Sequence, residues 1–216
     1  MGYVTQRLGK GVSPRNAAWS ALPVFLILLV FLLSACSSGN SSTPTTKGGK
    51  LNVGLVADLS TLDPLKSSSF YDRQVMLNIY DTLVRVDAHN NVQPDLATSW
   101  QYTTPTELVF TLRTDVKFQD GTPFNADAVV FNIKRILTTP SSPRLSEIST
   151  VKDVVAVDSS HVRFDLKAAF APLLLTLTDR AGMVLSPTAV QALGDANLAI
   201  APTHAGSGLF MLKEWV

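Results

Sequence analysis

From Leu51 onward the sequence predicts a mixed α/β fold, and three stretches carry that expectation. Val162, Phe164 and Leu166 alternate with His161, Arg163 and Asp165, the period-two pattern of a strand with one buried face. Asn125-Ala126-Asp127 precedes Val129, Val130, Ile133, Ile136 and Leu137, the helical spacing behind a capping residue. Leu108-Val109-Phe110-Thr111-Leu112 is a run of high β propensity. About 165 residues follow Leu51, enough for one domain with a real core.

The remaining elements follow in order. Leu51, Val53 and Leu55 alternate with Asn52 and Gly54, and Val56-Ala57 continues the run, predicting a first strand buried on at least one face. It ends at Leu59-Ser60-Thr61-Leu62-Asp63-Pro64, where Pro64 disfavours helix at Asp63 and sets a turn. Over 70–80, Val75, Met76, Ile79 and Tyr80 share one helical face, and a short strand follows at Leu83–Val86. From Val92 to Phe124 the pattern is mostly β, with Lys117-Phe118 leading into an Asp120-Gly121 turn. Asp127 in the first turn of helix 126–137 suits the helix dipole, and Thr138-Thr139-Pro140 ends that helix.

A hairpin over 151–167 places Val151, Asp153, Val155 and Val157 before the turn Asp158-Ser159-Ser160. Pro172 opens a short leucine-rich helix, and 187–193 is another with Gly194 as its cap. Gly206-Ser207-Gly208 then predicts a turn into a final strand.

The N-terminus reads differently. Arg7, Lys10 and Arg15 precede an uncharged run from Ala21 to Leu33, and Leu33-Ser34-Ala35-Cys36 closes it. A basic region, a short apolar core and small residues before a cut site describe an export signal over 1–35. The run is shorter than the ~20 apolar residues of a spanning helix, and Pro23 interrupts it. The cut site resembles a bacterial lipobox, which implies lipidation at Cys36. An ordinary secretory signal with an incidental cysteine is the alternative. Residues 36–50, from Cys36 through a Ser/Thr/Gly-rich run without apolar side chains, read as an anchored flexible tether.

Without residues 1–35 the chain carries 15 basic and 17 acidic residues, with no run of like charge, so nucleic acid is not implied as a partner. Cys36 is the sole cysteine, which leaves no intrachain disulfide and no thiolate metal site. No His-Glu-x-x-His, Gly-x-Ser-x-Gly or Walker-type loop occurs, and His89, His161 and His204 are scattered. Neither a cofactor nor a catalytic group is implied, and the chain reads as a non-enzyme.

A long ordered pattern remains. Tyr80-Asp81-Thr82-Leu83-Val84 is followed by Pro94-Asp95-Leu96-Ala97-Thr98-Ser99-Trp100. Leu112-Arg113-Thr114-Asp115-Val116-Lys117-Phe118 comes next, and then Asp120-Gly121-Thr122-Pro123-Phe124-Asn125-Ala126-Asp127-Ala128-Val129. This order resembles the peptide- and nickel-type extracellular solute-binding family of ABC importers. The resemblance covers 51–216, and the pattern is mostly scaffold: a turn, a cap, a buried tryptophan and a hairpin. Two departures are local. Asp127 stands one position before the family's usual carboxylate, and Leu209 stands where the family often has proline.

The resemblance implies a periplasmic-binding-protein-like lobe with a mixed sheet. Residues 51–79 would begin the first lobe, 80–185 form a β-rich inserted subdomain, and 186–216 return to the first lobe, with the second lobe absent from this chain. It implies capture of a small solute, most often an oligopeptide, for handover to membrane permease subunits, by a monomer tethered at the extracytoplasmic face. The implied lining residues are Leu59, Ser60, Thr61 and Leu62, Tyr71 beside Phe70, and the turn Gly206, Ser207 and Gly208. Core or lobe-surface packing is the alternative for Phe70 and Tyr71. Two other classes stay open: an exported lipoprotein with a structural, chaperone-like or signalling role on the same fold, and a lipid-anchored hydrolase.

Overall fold

The computed structural model describes residues 48–215. The export signal, Cys36 and the tether up to residue 47 lie outside the described residues. Val53–Val216 form one compact unit; residues 48–52, which belong to the preceding unit, are exposed and without regular structure.

Helix α1, Phe70–Ile79, starts at Ser69, whose hydroxyl accepts the amides of Tyr71 and Asp72 at 3.1 and 3.4 Å. That cap satisfies two of the helix's orphan donors and sets where it begins. Met76 and Ile79 are buried on one face, and Tyr80 leaves the helix in extended conformation with its side chain buried. Strand β1, Val84–Val86, pairs antiparallel with β2, Val92–Pro94.

A four-stranded antiparallel sheet follows, in the order β3-β4-β6-β5. Its strands are β3, Ala97–Thr104; β4, Glu107–Leu112; β5, Val151–Ala156; and β6, His161–Leu166. Strand β3 is an edge, and its register shifts near both ends, between Ala97 and Ser99 and between Tyr102 and Thr104. Helix α2, Ala126–Leu137, lies against β5 and β6, and the Asn125 side chain accepts the Ala128 amide at 3.0 Å as the expected cap. Its buried face is Val129, Ile133 and Ile136. Short helices α3, Pro143–Glu147, and α4, Leu173–Thr176, lead to a 3-10 turn at Arg180–Gly182 and to helix α5, Pro187–Ile200.

Two apolar clusters form within this unit. The larger is drawn almost entirely from 83–184, around Phe110, Phe164 and Val129. The smaller joins Leu62, Met76, Ile79 and Tyr80 to Met183, Leu185, Val190, Leu198 and Ala205. The second core is thus built from the two ends of the unit, and the first from the segment between them.

Several local expectations need correction. The strand expected at 51–57 does not form: Leu51, Val53, Leu55 and Val56 are exposed, and nothing among the described residues pairs with the run. An alternating apolar run becomes a strand only where a neighbour completes its hydrogen bonds. The strand expected after Gly208 is likewise coil over 209–215, with Leu209, Phe210 and Met211 exposed. Both sheets among the described residues are therefore antiparallel, and a mixed sheet is not formed by them.

On β5 the buried valines are Val151 and Val154, whereas Val155, and Val157 just past the strand, are exposed. A register shift between Val151 and Asp153 inverts the parity that simple alternation requires. Lys117 makes a single bridge to Pro123 instead of a strand. Trp100 is half-buried at the edge, its ring centroid 6.5 Å from that of Phe110. Gly194, with φ of 67° and ψ of 168°, interrupts α5, but helix resumes to Ile200.

Candidate functional site

The loop before α1 is held by a buried carboxylate. Asp72, in the first turn of α1 and with no exposed surface, accepts the Ser60 amide at 2.8 Å and the Ser60 hydroxyl at 2.5 Å. The Ser67 hydroxyl adds a further bond at 2.9 Å. On the other side the Leu62 amide donates to the Ala199 carbonyl at 2.7 Å, and the Thr61 hydroxyl reaches the same oxygen at 3.2 Å. Leu62 is fully buried, and its carbonyl accepts the Tyr80 hydroxyl at 2.9 Å. Burial first, and the nearby Asp63 charge second, push that phenol far above its ordinary range, so it stays a neutral donor.

Asp63, also fully buried, forms a two-pronged ion pair with Arg135 at 3.0 and 2.7 Å, and Arg135 extends to Asp195 at 3.3 Å. Loop 59–62 is therefore rigidly seated between α1 and the last turn of α5. Leu59 is half-buried against the second core, and Ser60 is exposed.

At the start of α1 an aromatic pair adjoins this loop. Phe70 is 60% exposed and meets Tyr71 edge to face at 6.0 Å between centroids. Arg180 reaches the same corner from the 3-10 turn: its Nη1 donates to the Ser69 carbonyl at 3.0 Å and lies 3.4 Å from the Ser67 hydroxyl. Asp179 beside it accepts Arg73 Nε at 2.8 Å.

Behind Arg180 sits Arg144, 4% exposed and paired with Glu147 at 2.7 Å. Burial lowers the Arg144 guanidinium pKa; Glu147 opposes that shift, and the Arg180 charge adds to it. Burial likewise raises the Glu147 carboxyl. The Nε atoms of both Arg144 and Arg180 are buried without a hydrogen-bond partner.

The glycine turn lies elsewhere. The Gly208 amide donates to the Ile79 carbonyl at 2.9 Å, and the Phe210 amide to the Asn78 carbonyl at 3.0 Å. A Cβ on Gly206 would overlap the Ile79 carbonyl oxygen, and one on Gly208 would stand 2.7 Å from the Asn78 oxygen. These glycines let two backbones meet at the C-terminal end of α1. Gln119 fastens them, its amide donating to the Gly206 carbonyl at 2.8 Å and its Nε2 to the Gly208 and Phe210 carbonyls at 3.2 and 2.9 Å.

Ten residues of helix, about 15 Å at 1.5 Å per residue, separate this turn from the corner at Ser60 and Tyr71. The structure thus bonds Ser60 to the first turn of α1, where Tyr71 lies, ties Leu62 to Tyr80 just past the end of that helix, and sets Gly206, Ser207 and Gly208 against its C-terminal end. Ser207 keeps a buried hydroxyl with no partner.

An open groove of about 530 Å³ lies near the turn, lined by Asp120, Thr188, Leu193 and His204 among others. Asp120 is held there by structure. Burial opposes its ionisation, but bonds from the Ser186 hydroxyl and from Thr122 outweigh burial and lower its carboxyl.

Arg180 and Arg144 escaped the sequence reading. The usable signal was weak: a lone Asp179-Arg180 pair before a turn, and an arginine inside a five-residue helix. Arginines in such places are usually solvated. Among the described residues no three His, Cys, Asp or Glu side chains form a group able to hold a metal ion, and no helix is long and apolar enough to cross a membrane.

Comparison with known proteins agrees with this architecture. The family model "Bacterial extracellular solute-binding proteins, family 5 Middle" matches residues 91–216. The "Probable D,D-dipeptide-binding periplasmic protein DdpA" of Escherichia coli is 35% identical over 173 residues, covering 76% of this chain and 33% of that protein. NikA from Brucella suis, solved with Fe(III)-EDTA, superposes with a TM-score of 0.69 at 28% identity, covering 78% of this chain and 34% of that one. DppA from Helicobacter pylori, solved with the peptide STSA, superposes with a TM-score of 0.64 at 26% identity, covering 74% and 36%. The chain spans about one third of the length of the relatives it matches. With a family model aligned over more than half its residues and the same topology in the solved relatives, the chain belongs to the bacterial extracellular solute-binding proteins, family 5.

Proposed function

We propose that this chain supplies part of the solute-capturing component of an ABC importer, with an oligopeptide as its most fitting cargo. The observation that carries the reading is the corner at the start of α1. There, loop 59–62, the exposed Phe70 with Tyr71, and Arg180 converge on one rigid frame anchored by buried Asp72. Such a corner offers main-chain polar groups, an aromatic face and a cation, the mix that orients a small polar solute. The ligands carried by relatives, a D,D-dipeptide and the peptide STSA, are of that kind. The glycine turn, whose Gly208 amide is already engaged, serves here as scaffold.

The proposed division places 51–79 and 186–216 in one lobe and 80–185 in an inserted subdomain. It is supported by the two apolar clusters, which follow nearly the same boundaries. Closure of a partner lobe over the corner would exclude water and strengthen its polar contacts. The protein acts as a monomer held by a lipid on Cys36 at the extracytoplasmic face, where it hands solute to permease subunits. No bond is made or broken in this cycle.

The direct test is binding by the full chain, followed by isothermal calorimetry and thermal shift against di- to tetrapeptides. Saturable binding of at least one class is the expected result; no heat and no shift across the panel would overturn the reading. The anchor is tested separately by labelled palmitate in an exporting host. Label should enter the wild-type chain and be lost in Cys36→Ala, and equal labelling of both would remove the lipid.

A further inference from the structure

The open groove of about 530 Å³ beside α5 shares no lining residue with the corner at the start of α1. Part of its lining is one face of that helix, where Thr188, Ala189, Ala192 and Leu193 stand at helical neighbour positions. Asp120 and His204 are also among its lining residues, and the lining holds no Lys or Arg.

The groove is built before anything enters it. The Thr122 amide and hydroxyl donate to Asp120 Oδ1 at 2.8 and 2.6 Å, and the Ser186 hydroxyl donates to Oδ2. Ser186 is fully buried and caps α5, accepting the Ala189 amide at 3.2 Å. Its own amide donates to the Ala205 carbonyl at 2.8 Å. One serine thus joins the acid, the helix start and the loop that carries His204. His204 itself holds φ of 62°, a left-handed conformation that residues with a side chain seldom adopt.

The donors bonded to Asp120 are neutral hydroxyl and amide groups, which orient the carboxylate without cancelling its charge. Among the described residues no Lys or Arg lies within ion-pair distance of it. The positive end of α5 offsets only part of that charge. An apolar strip ending at an unpaired anion calls for a group that is apolar along its length and cationic at its tip.

We infer that this groove is a docking surface for a partner protein whose contacting segment carries an arginine beside an apolar side chain. The guanidinium would meet Asp120, and the apolar group would lie along Ala192 and Leu193. Arginine fits because its stem covers apolar surface while its planar head pairs with a carboxylate. A protein partner fits because an open groove leaves much of a small ligand in water, whereas a neighbouring surface can cover the rest. The surface is independent of the solute corner.

The test follows amide resonances of the ¹⁵N-labelled full chain by NMR, which reads weak binding. The probe is N-acetyl-leucyl-arginine amide, whose blocked ends remove the termini of a peptide solute. Its citrulline counterpart has the same shape without the charge. Saturable shifts at Thr188, Ala192 and His204 are expected with the arginine probe. Affinity should be about threefold lower or more with citrulline, the worth of one partly exposed ion pair. Asp120→Asn should remove the difference between the probes. Should that variant fail to fold, Ala192→Lys, at an exposed helix position, should block the groove, and Gln191→Lys beside it should change nothing.

Equal response to both probes, or no shift at these three residues, would overturn the inference. Shifts confined to 59–72 would overturn it too, while leaving the solute-binding reading standing. Agmatine, the same cation without a neighbouring side chain, should bind more weakly than the arginine probe. Equal binding of agmatine would replace the protein partner with a free small cation.

Discussion

Ser60 and Asp72, separated by 12 positions, are joined twice: the Ser60 amide donates to Oδ1 at 2.8 Å and its hydroxyl to Oδ2 at 2.5 Å. The carboxylate therefore fixes both the backbone and the side chain of one loop residue. Because Asp72 is fully buried and also receives Ser67, its removal would orphan several donors at once. A loop of Leu-Ser-Thr-Leu composition becomes a rigid ledge through a residue outside it.

Asp72→Ala should cost about 3 kcal/mol, since bonds to a buried charged group are each worth ~1.5–3 kcal/mol and are not fully additive. For a chain of this size that lowers Tm by roughly 6–12 °C. Thermal unfolding followed by circular dichroism gives the stability change, and hydrogen exchange at the Ser60 amide gives the local one. Unchanged Tm with unchanged exchange would contradict the anchoring role.

The pair of Asp63 with Arg135 is buried, and the contact of Arg135 with Asp195 is exposed at its acidic end. Removing one partner of a buried pair strands the other's charge, so Arg135→Leu should cost about 3–5 kcal/mol. Asp195→Asn should stay within about 0.5 kcal/mol. Urea unfolding of the two variants reads the contrast, and comparable losses would mean that Asp63 is not the dominant partner.

Gly206→Ala and Gly194→Ala test two different requirements of glycine. At 206 a methyl group meets the Ile79 carbonyl, so α1 and the turn must separate and the Gln119 bonds to that segment weaken. At 194 there is open space, and the cost is the backbone conformation alone, about 1–3 kcal/mol. Stability loss in both variants is expected, with changed chemical shifts at Asn78 and Ile79 only in Gly206→Ala. The same pattern of shifts in both would refute the distinction.

The acid limb of the stability curve should depend on Asp158. Its carboxyl is held at about 2 against an ordinary 3.8, chiefly by the Ser160 amide, with help from the His161 and Ser160 side chains. A folded-state value below the unfolded one means stabilisation that is complete above pH ~4 and fades as pH falls toward 2. Asp158→Asn should flatten that part of the curve and leave the limb above pH 5 unchanged. Denaturant titrations at pH 3 and pH 6 decide it; an identical slope in wild type and variant would exclude Asp158 as a contributor.

Elements whose causes are local were legible in the sequence. Strand β6 alternates, α2 is capped by Asn125, and the ends of both follow from residues within a few positions. What the sequence concealed depends on distant partners. The runs at 51–57 and 209–215 have strand composition, but a strand exists only through a neighbour. The irregularity between Val151 and Asp153 reverses which valines face inward, and no composition signal marks it.

The candidate site divides the same way. Loop 59–62 and Tyr71 were proposed through the family resemblance alone, since their composition is that of an ordinary turn and helix start. Arg144 and Arg180 were not, because their interest lies in burial and in missing partners, which only tertiary packing creates.

The outer rim of β3 carries a further consequence. Its eight residues, Ala97–Thr104, include no charge, and their free edge would be an attractive template for a second chain. The two register irregularities break that edge into pieces too short and too twisted to zip with another copy. Colloidal behaviour is thus guarded by geometry in place of charge. A one-residue deletion that straightened either irregularity would lengthen the continuous edge and favour edge-to-edge pairing with another copy.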